Sequence, residues 1–220
     1  MAKFSHTNDQ SNKSSNPTTK YLEWRSNDKS FRYYDKERGE NVEVQLPLKF
    51  AFIQHYHTVK GWHDKNQSGI YSNEVYFIGS EPMTVRAFKP KGFVVADGLY
   101  KDIKTQVAAQ GGKYHRSVYV MLEDGSVANI SFKGAVVREW SEFYQEFKTS
   151  EDTNWVEITE AVDQKKGSVK YSTPKFTVGK KFTAAEDLKH TAACGLIEAH
   201  MDAYFSKVEE PELETDGIDF

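Results

Sequence analysis

The sequence predicts a mainly β fold: a barrel-like sheet with one helix inserted among its strands and a long helix toward the C-terminus. Three observations carry this. Short aromatic or β-branched runs recur between residues 21 and 133, separated by turn chemistry. Residues 99–110 and 135–147 instead space their apolar positions by three and four. A third such stretch opens on Thr183-Ala-Ala-Glu186, a capping box in which hydroxyl and carboxylate each satisfy the other residue's backbone N–H.

The elements follow in order. Residues 1–20 are rich in Ser, Asn, Thr and Lys and hold too little apolar surface to offset ordering entropy, so a disordered tail is expected. Tyr21–Trp24, Ser30–Tyr34 and Asn41–Gln45 read as short strands, and Leu48–Val59 as a long one. A polar loop over Gly61–Gly69 leads to strands at Ile70–Ile78 and Met83–Phe88. Leu99–Gln110 reads as a helix ended by Gly111-Gly112. Lys113–Leu122 and Val127–Lys133 flank the tight turn Glu123-Asp124-Gly125-Ser126 and read as a hairpin. Ala135–Phe147 places Val136, Trp140, Phe143 and Phe147 on one helical side. Trp155–Ile158, Ser168–Tyr171 and Lys175–Val178 read as added strands. The last helix, 183–206, carries an apolar stripe of Ala185, Leu188, Ala192, Leu196 and Ala199, suited to bracing the sheet or building a homo-oligomer interface. Five central strands with an inserted helix match a small closed or partly open barrel of the oligonucleotide/oligosaccharide-binding (OB) kind; an SH3-like barrel or a sandwich shares the strand count. The organisation expected is a tail at 1–20, an OB-like domain over 21–208 and an acidic segment at 209–220.

Composition narrows the function. No run approaches the roughly 18 consecutive apolar residues of a membrane span, and the first residues lack the apolar region of a signal peptide. A cytoplasmic protein without membrane attachment is expected, in the host cytoplasm if the source is viral. Cys194 is the only cysteine, which excludes an intramolecular disulfide and cysteine-based zinc frameworks. No Gly-rich phosphate loop, G-x-S-x-G or H-E-x-x-H pattern occurs, so neither a cofactor nor catalysis is expected. His55 and His57 would share a strand face near His63 and Asp64, but a metal site needs further ligands at clearer spacing, and none is assigned.

Strand alternation sorts faces. Val118, Val120 and Leu122 point inward, leaving Lys113, His115, Ser117 and Tyr119 outward. Met83, Val85 and Ala87 leave Arg86 and Phe88 outward, and Ala128, Ile130 and Phe132 leave Lys133 outward. Cations interleaved with aromatic faces suit a single-stranded nucleic acid, which needs ammonium groups for phosphates and rings for bases. The candidate contacts are therefore Arg86, Phe88, Lys113, His115, Tyr119 and Lys133, with Lys60 and Trp62 from the adjoining loop. Lysines 165, 166, 170, 175, 180 and 181 form an acid-free run that would add phosphate contacts or seat the chain's own C-terminal tail.

Net charge is −3, yet residues 209–220 (EEPELETDGIDF) hold six acids and no base; the remainder has 29 basic against 26 acidic side chains, a net +3. An acidic run closed by Ile218, Asp219 and Phe220 suits docking into a basic-rimmed apolar pocket. This ending, with Asp216, Ile218, Asp219 and Phe220, resembles the C-termini of single-stranded-DNA-binding proteins of bacteria and tailed phages. Bacterial members end in acids followed by Ile-Pro-Phe; Asp219 in place of Pro, and Gly217 within the run, favour the phage type. The resemblance covers about a dozen residues plus the OB-like plan of 46–148. It implies protection of single-stranded DNA in replication, recombination or repair, and recruitment of a polymerase, helicase or primase through the tail. Two other classes fit parts of the sequence: an assembly protein of a virion, which would not need a free apolar-ended acidic terminus, and a small metal-dependent nuclease using the histidines.

Overall fold

The computed structural model describes residues 16–209. The chain forms β1 (Lys20–Arg25), β2 (Ser30–Asp35), β3 (Glu40–Val44), β4 (Leu48–His63), β5 (Ser68–Ser72), β6 (Met83–Ala87) and β7 (Val94–Gly98). There follow α1 (Tyr100–Ala109), β8 (Gly112–Leu122), β9 (Val127–Lys133), α2 (Ala135–Phe147), β10 (Asn154–Lys166), β11 (Val169–Lys181) and α3 (Ala184–Glu209). The fold is mainly β, as expected. All strands join one mixed sheet in the order β3-β2-β1-β9-β8-β4-β5-β6-β7, with the β10–β11 hairpin attached to the start of β4. The β1–β9 pair is parallel and the others are antiparallel.

β4 is the spine. Its early part pairs with β10 through Leu48, Lys49 and Phe50, its last part with β5, and most of its other edge with β8. An irregularity between Phe52 and Gln54 shifts the register. Beyond it Gln54, Tyr56, Thr58, Lys60 and Trp62 alternate against His55, His57 and Val59.

The sheet is covered on both faces. On one, α2 and the hairpin enclose a core centred on Trp140, which is fully buried with ring centroids 5.8, 5.5 and 5.3 Å from Phe52, Phe132 and Phe176. Val136, Trp140 and Phe147 are buried and Phe143 packs beside them, the side expected from helical spacing. α1 buries Ile103 and Val107 against Val59 and β5–β7. On the opposite face α3 lays Ala193, Ile197 and Met201 over Ala51, Tyr56, Tyr119, Met121 and Trp155.

Several expectations are corrected. Among the described residues no backbone ladder closes a barrel: β3 and β7 end the sheet path unpaired with each other, so the sheet is open. What draws the hairpin back toward β1 is side-chain bonding. Trp24 Nε1 donates to the Ser172 carbonyl at 2.9 Å, and Ser172 N donates to Ser26 Oγ at 2.6 Å. The strand expected over Ile70–Ile78 stops at Ser72, where Asn73 turns away and caps Pro82 and Thr84 instead. The expected loop at 61–69 is mostly strand, with a turn only at 64–67. The three short strands expected after residue 154 merge into one long hairpin. The capping box of α3 is present, Thr183 N donating to Glu186 Oε2 at 2.7 Å and Glu186 N to Thr183 Oγ1 at 3.3 Å. The stripe expected to pack is nonetheless outward: Leu188 and Leu196 are exposed.

Candidate nucleic-acid interface

Strand register assembles the site. Lys60 on β4 stands opposite Lys113 on β8 and, on its other side, opposite Tyr71 on β5. Tyr71 in turn stands opposite Arg86 on β6. One step along, Trp62 pairs with Gly69, and Phe88 N donates to the Gly69 carbonyl at 3.0 Å. In a neighbouring row His115 pairs with Thr58 and Lys133. Lys60, Trp62, Tyr71, Phe88, Lys113, His115 and Lys133 lie on the side that α3 covers farther along, and beyond the helix they line a groove of about 710 Å³.

Two close approaches shape it. A Cβ on Gly69 would sit 3.0 Å from the Phe88 ring, so glycine there lets Phe88 lie over the strand and stack on Tyr71, with centroids 4.5 Å apart and planes 27° from parallel. A Cβ on Gly61 would meet the Gly111 carbonyl oxygen at 2.2 Å, so the pair holds the end of α1 against β4 beside Trp62. Three rings remain open to solvent: Phe88 at 62% exposure, Trp62 at 51% and Tyr71 at 37%. Rings of this size are normally covered, so their exposure together in one groove makes it a candidate contact surface.

The electrostatics favour an anion. Three ammonium groups converge, with Glu23 3.6 Å from Lys133 and Asp64 at the rim. His115 lies beneath them, buried, with Nδ1 2.8 Å from Ser131 Oγ. Burial, then Lys60, Lys133 and Lys113, pull its pKa down to about 3, so it stays neutral and can act only as a polar group of the groove floor. Burial also holds the Lys60 ammonium below its usual range, opposed by Glu74 and Glu23. Glu74 is raised by burial, opposed by hydrogen bonds from Ser117 and Tyr119.

Of the residues singled out from sequence, Lys60, Trp62, Phe88, Lys113, His115 and Lys133 line this groove. Arg86 is exposed beside Tyr71 in the next strand, outside the lining. Tyr119 is a correction. It is on the face expected, but α3 covers that part of the sheet; the ring is buried and its hydroxyl donates to Glu74 Oε2 at 2.9 Å. His115 is likewise buried rather than outward. Tyr71 was missed. Folding the chain about the 64–67 turn would have found it, because that turn sets Tyr71 opposite Lys60. Asp216, Ile218, Asp219 and Phe220 lie outside the described residues.

The histidines take other roles. His55 and His57 share the opposite face, around Arg116. Arg116 Nη1 is 3.0 Å from His57 Nε2, which must accept; His57 Nδ1 therefore carries the proton and donates to Tyr114 Oη at 2.6 Å. Trp140 Nε1 donates to His55 Nδ1 at 3.4 Å. Burial first, then Arg116, lower the two pKa values to about 3 for His55 and about 4 for His57. His63 is buried farther along, its ring edge-on to Phe93. Among the described residues no three His, Cys, Asp or Glu side chains gather as metal ligands, and no helix is long and apolar enough to cross a membrane.

Fold and groove together define an open-sheet β protein with a basic, aromatic-lined surface. No protein-family model, curated protein or solved structure matches the chain significantly.

Proposed function

We propose that this protein binds single-stranded nucleic acid, single-stranded DNA in the first place, with bases stacked on Trp62, Tyr71 and Phe88 and phosphates held by Lys60, Lys113 and Lys133. The observation that carries the reading is the convergence of three exposed rings and three lysines in one groove. Stacking tolerates any base because every base has a π-face, so such a groove would hold single strands with little sequence preference. The role is non-enzymatic: protection of exposed strands in replication, recombination or repair. The curled part of the sheet built by β1, β4, β8, β9 and β10 would serve as the OB-like platform. The acidic segment 209–220 would compete for the groove and, once displaced, recruit replication proteins through Ile218 and Phe220.

The test is a titration of labelled oligo-dT and of the matching duplex at two salt concentrations, with the full chain and with a chain ending at residue 208. Single strands should bind tighter. Counterion release gives a log–log salt slope of about −0.7 per phosphate, so about four contacts imply a slope near −3. Removing 209–220 takes the net charge from −3 to +3 and should raise affinity most at low salt. Equal or tighter duplex binding would overturn the reading. Unchanged affinity on truncation would remove only the competition by the tail.

A further inference from the structure

A second cavity, about 1060 Å³, adjoins the groove. It lies between the start of α2, the tip of the β10–β11 hairpin and the ends of β8 and β9. Lys113, Lys133, Arg138, Lys165, Lys166 and Tyr171 line it, and among the described residues no carboxylate does. Lys133 is shared with Glu23, and Arg138 is engaged by Glu139 and Glu142 of its own helix. Among the described residues no carboxylate lies within 4 Å of Lys113, Lys165 or Lys166. α2 begins at this cleft without a side-chain cap or an acid in its first turn, which adds the positive end of its dipole. The roof is pinned: besides the Trp24 and Ser26 bonds to Ser172, Lys29 meets Asp163 at 2.8 Å.

Groove and cleft differ in chemistry. The groove offers open rings and carries Glu23 and Asp64 among its lysines; the cleft, among the described residues, offers five cations and no acid. Lys113 and Lys133 belong to both walls, so the two spaces meet across the ends of β8 and β9. We infer that the cleft is the phosphate-binding extension of the same site: a strand whose bases stack in the groove crosses Lys113 and Lys133 and lays its backbone beneath the hairpin tip. This rests on the proposed function and adds to it a longer footprint, with stacking at one end and charge at the other. The same cations could instead hold the chain's own acidic segment, and the experiment separates the two.

Lys165→Ala/Lys166→Ala alters two exposed side chains at a hairpin tip and should leave melting unchanged. The full chain and this variant are titrated with oligo-dT of about five nucleotides, enough for the groove alone, and of about fifteen, within the range of one such domain. The variant should bind the longer probe about tenfold more weakly at low salt, with a salt slope shallower by about 1.4, that is about 0.7 for each lost contact. The shorter probe should be unaffected, whereas Phe88→Ala should weaken both. If wild-type protein binds neither probe, the groove reading itself fails. If wild-type binds and the lysine variant matches it at both lengths, or weakens both equally, the cleft is not an extension. Tighter binding by the variant would mean that the cleft seats the acidic segment, and would also overturn the inference.

Discussion

Phe88 lies over Gly69 with one face on Tyr71, and its large exposure means its truncation removes contact surface without opening a cavity. Phe88→Ala should cost about 1–3 kcal/mol in oligonucleotide binding and leave unfolding unchanged. Tyr119→Ala should do the reverse, lowering stability by about 3–5 kcal/mol, because it empties a buried site and leaves Glu74 short of a donor. Calorimetric melting and oligonucleotide titration of the two variants check this; loss of fold in Phe88→Ala would invert the assignment. His57 and His115 make a second prediction. Both are buried, with folded pKa values of about 4 and about 3 against an ordinary 6.5. Below about pH 6.5 the unfolded chain binds protons that the folded chain refuses, so stability is full above that pH and declines toward pH 4. Each histidine contributes up to about 1.4 kcal/mol per pH unit in that window. In urea unfolding at pH 7 and pH 5, His115→Gln should lose less stability than wild type; parallel losses would show that His115 titrates normally in the fold.

At the scale of elements, α3 is the case where residue pattern misleads. It carries apolar residues on opposite sides, so spacing alone offers two candidate faces. The stripe of Ala185, Leu188, Ala192, Leu196 and Ala199 and the side of His190, Ala193, Ile197 and Met201 are spaced by the same threes and fours, and it is the second that is buried. A histidine interrupts that side, but its Nε2 meets the Phe52 carbonyl at 2.7 Å, and a satisfied polar group is tolerated in a core. Ile197→Ala should therefore cost about 2–5 kcal/mol, while Leu188→Ala and Leu196→Ala should stay within about 0.5 kcal/mol. Denaturant midpoints decide it, and the opposite ranking would turn the helix over. α2 was legible for the converse reason: its aromatic side has no competitor. The β10–β11 hairpin was legible only in pieces, because the outer half of β10 is mostly exposed without alternation while Ser172, Thr173 and Pro174 of β11 are buried in succession.

For the molecule as a whole, the β class, the helices of the described residues, and Phe88, Lys113, His115 and Lys133 could be read from periodicity, alternation and turn chemistry, whereas Lys60 and Trp62 were expected in a loop and stand on β4. Which half of the sheet face stays open could not, because that depends on where a helix some 70 residues downstream comes to rest. The same parity puts Lys113 in the groove and Tyr119 under α3. Barrel closure was likewise out of reach, since strand count says nothing about whether the last edges meet. That openness has a cost the fold must manage: every unclosed sheet presents rows of bare backbone donors and acceptors on which a stray strand can polymerise. Each outer rim here is blunted in its own way. β3 is five residues long and bears Glu40 and Glu43. β7 is equally short and ends at Gly98, in a conformation (φ 139°) that breaks the extended run. β11 is long, but Pro174 removes a donor midway, and Lys170, Lys175, Lys180 and Lys181 repel a like neighbour. Lysines along a rim thus give this protein a guard against templated aggregation, a protection that operates whether or not any nucleic acid is present.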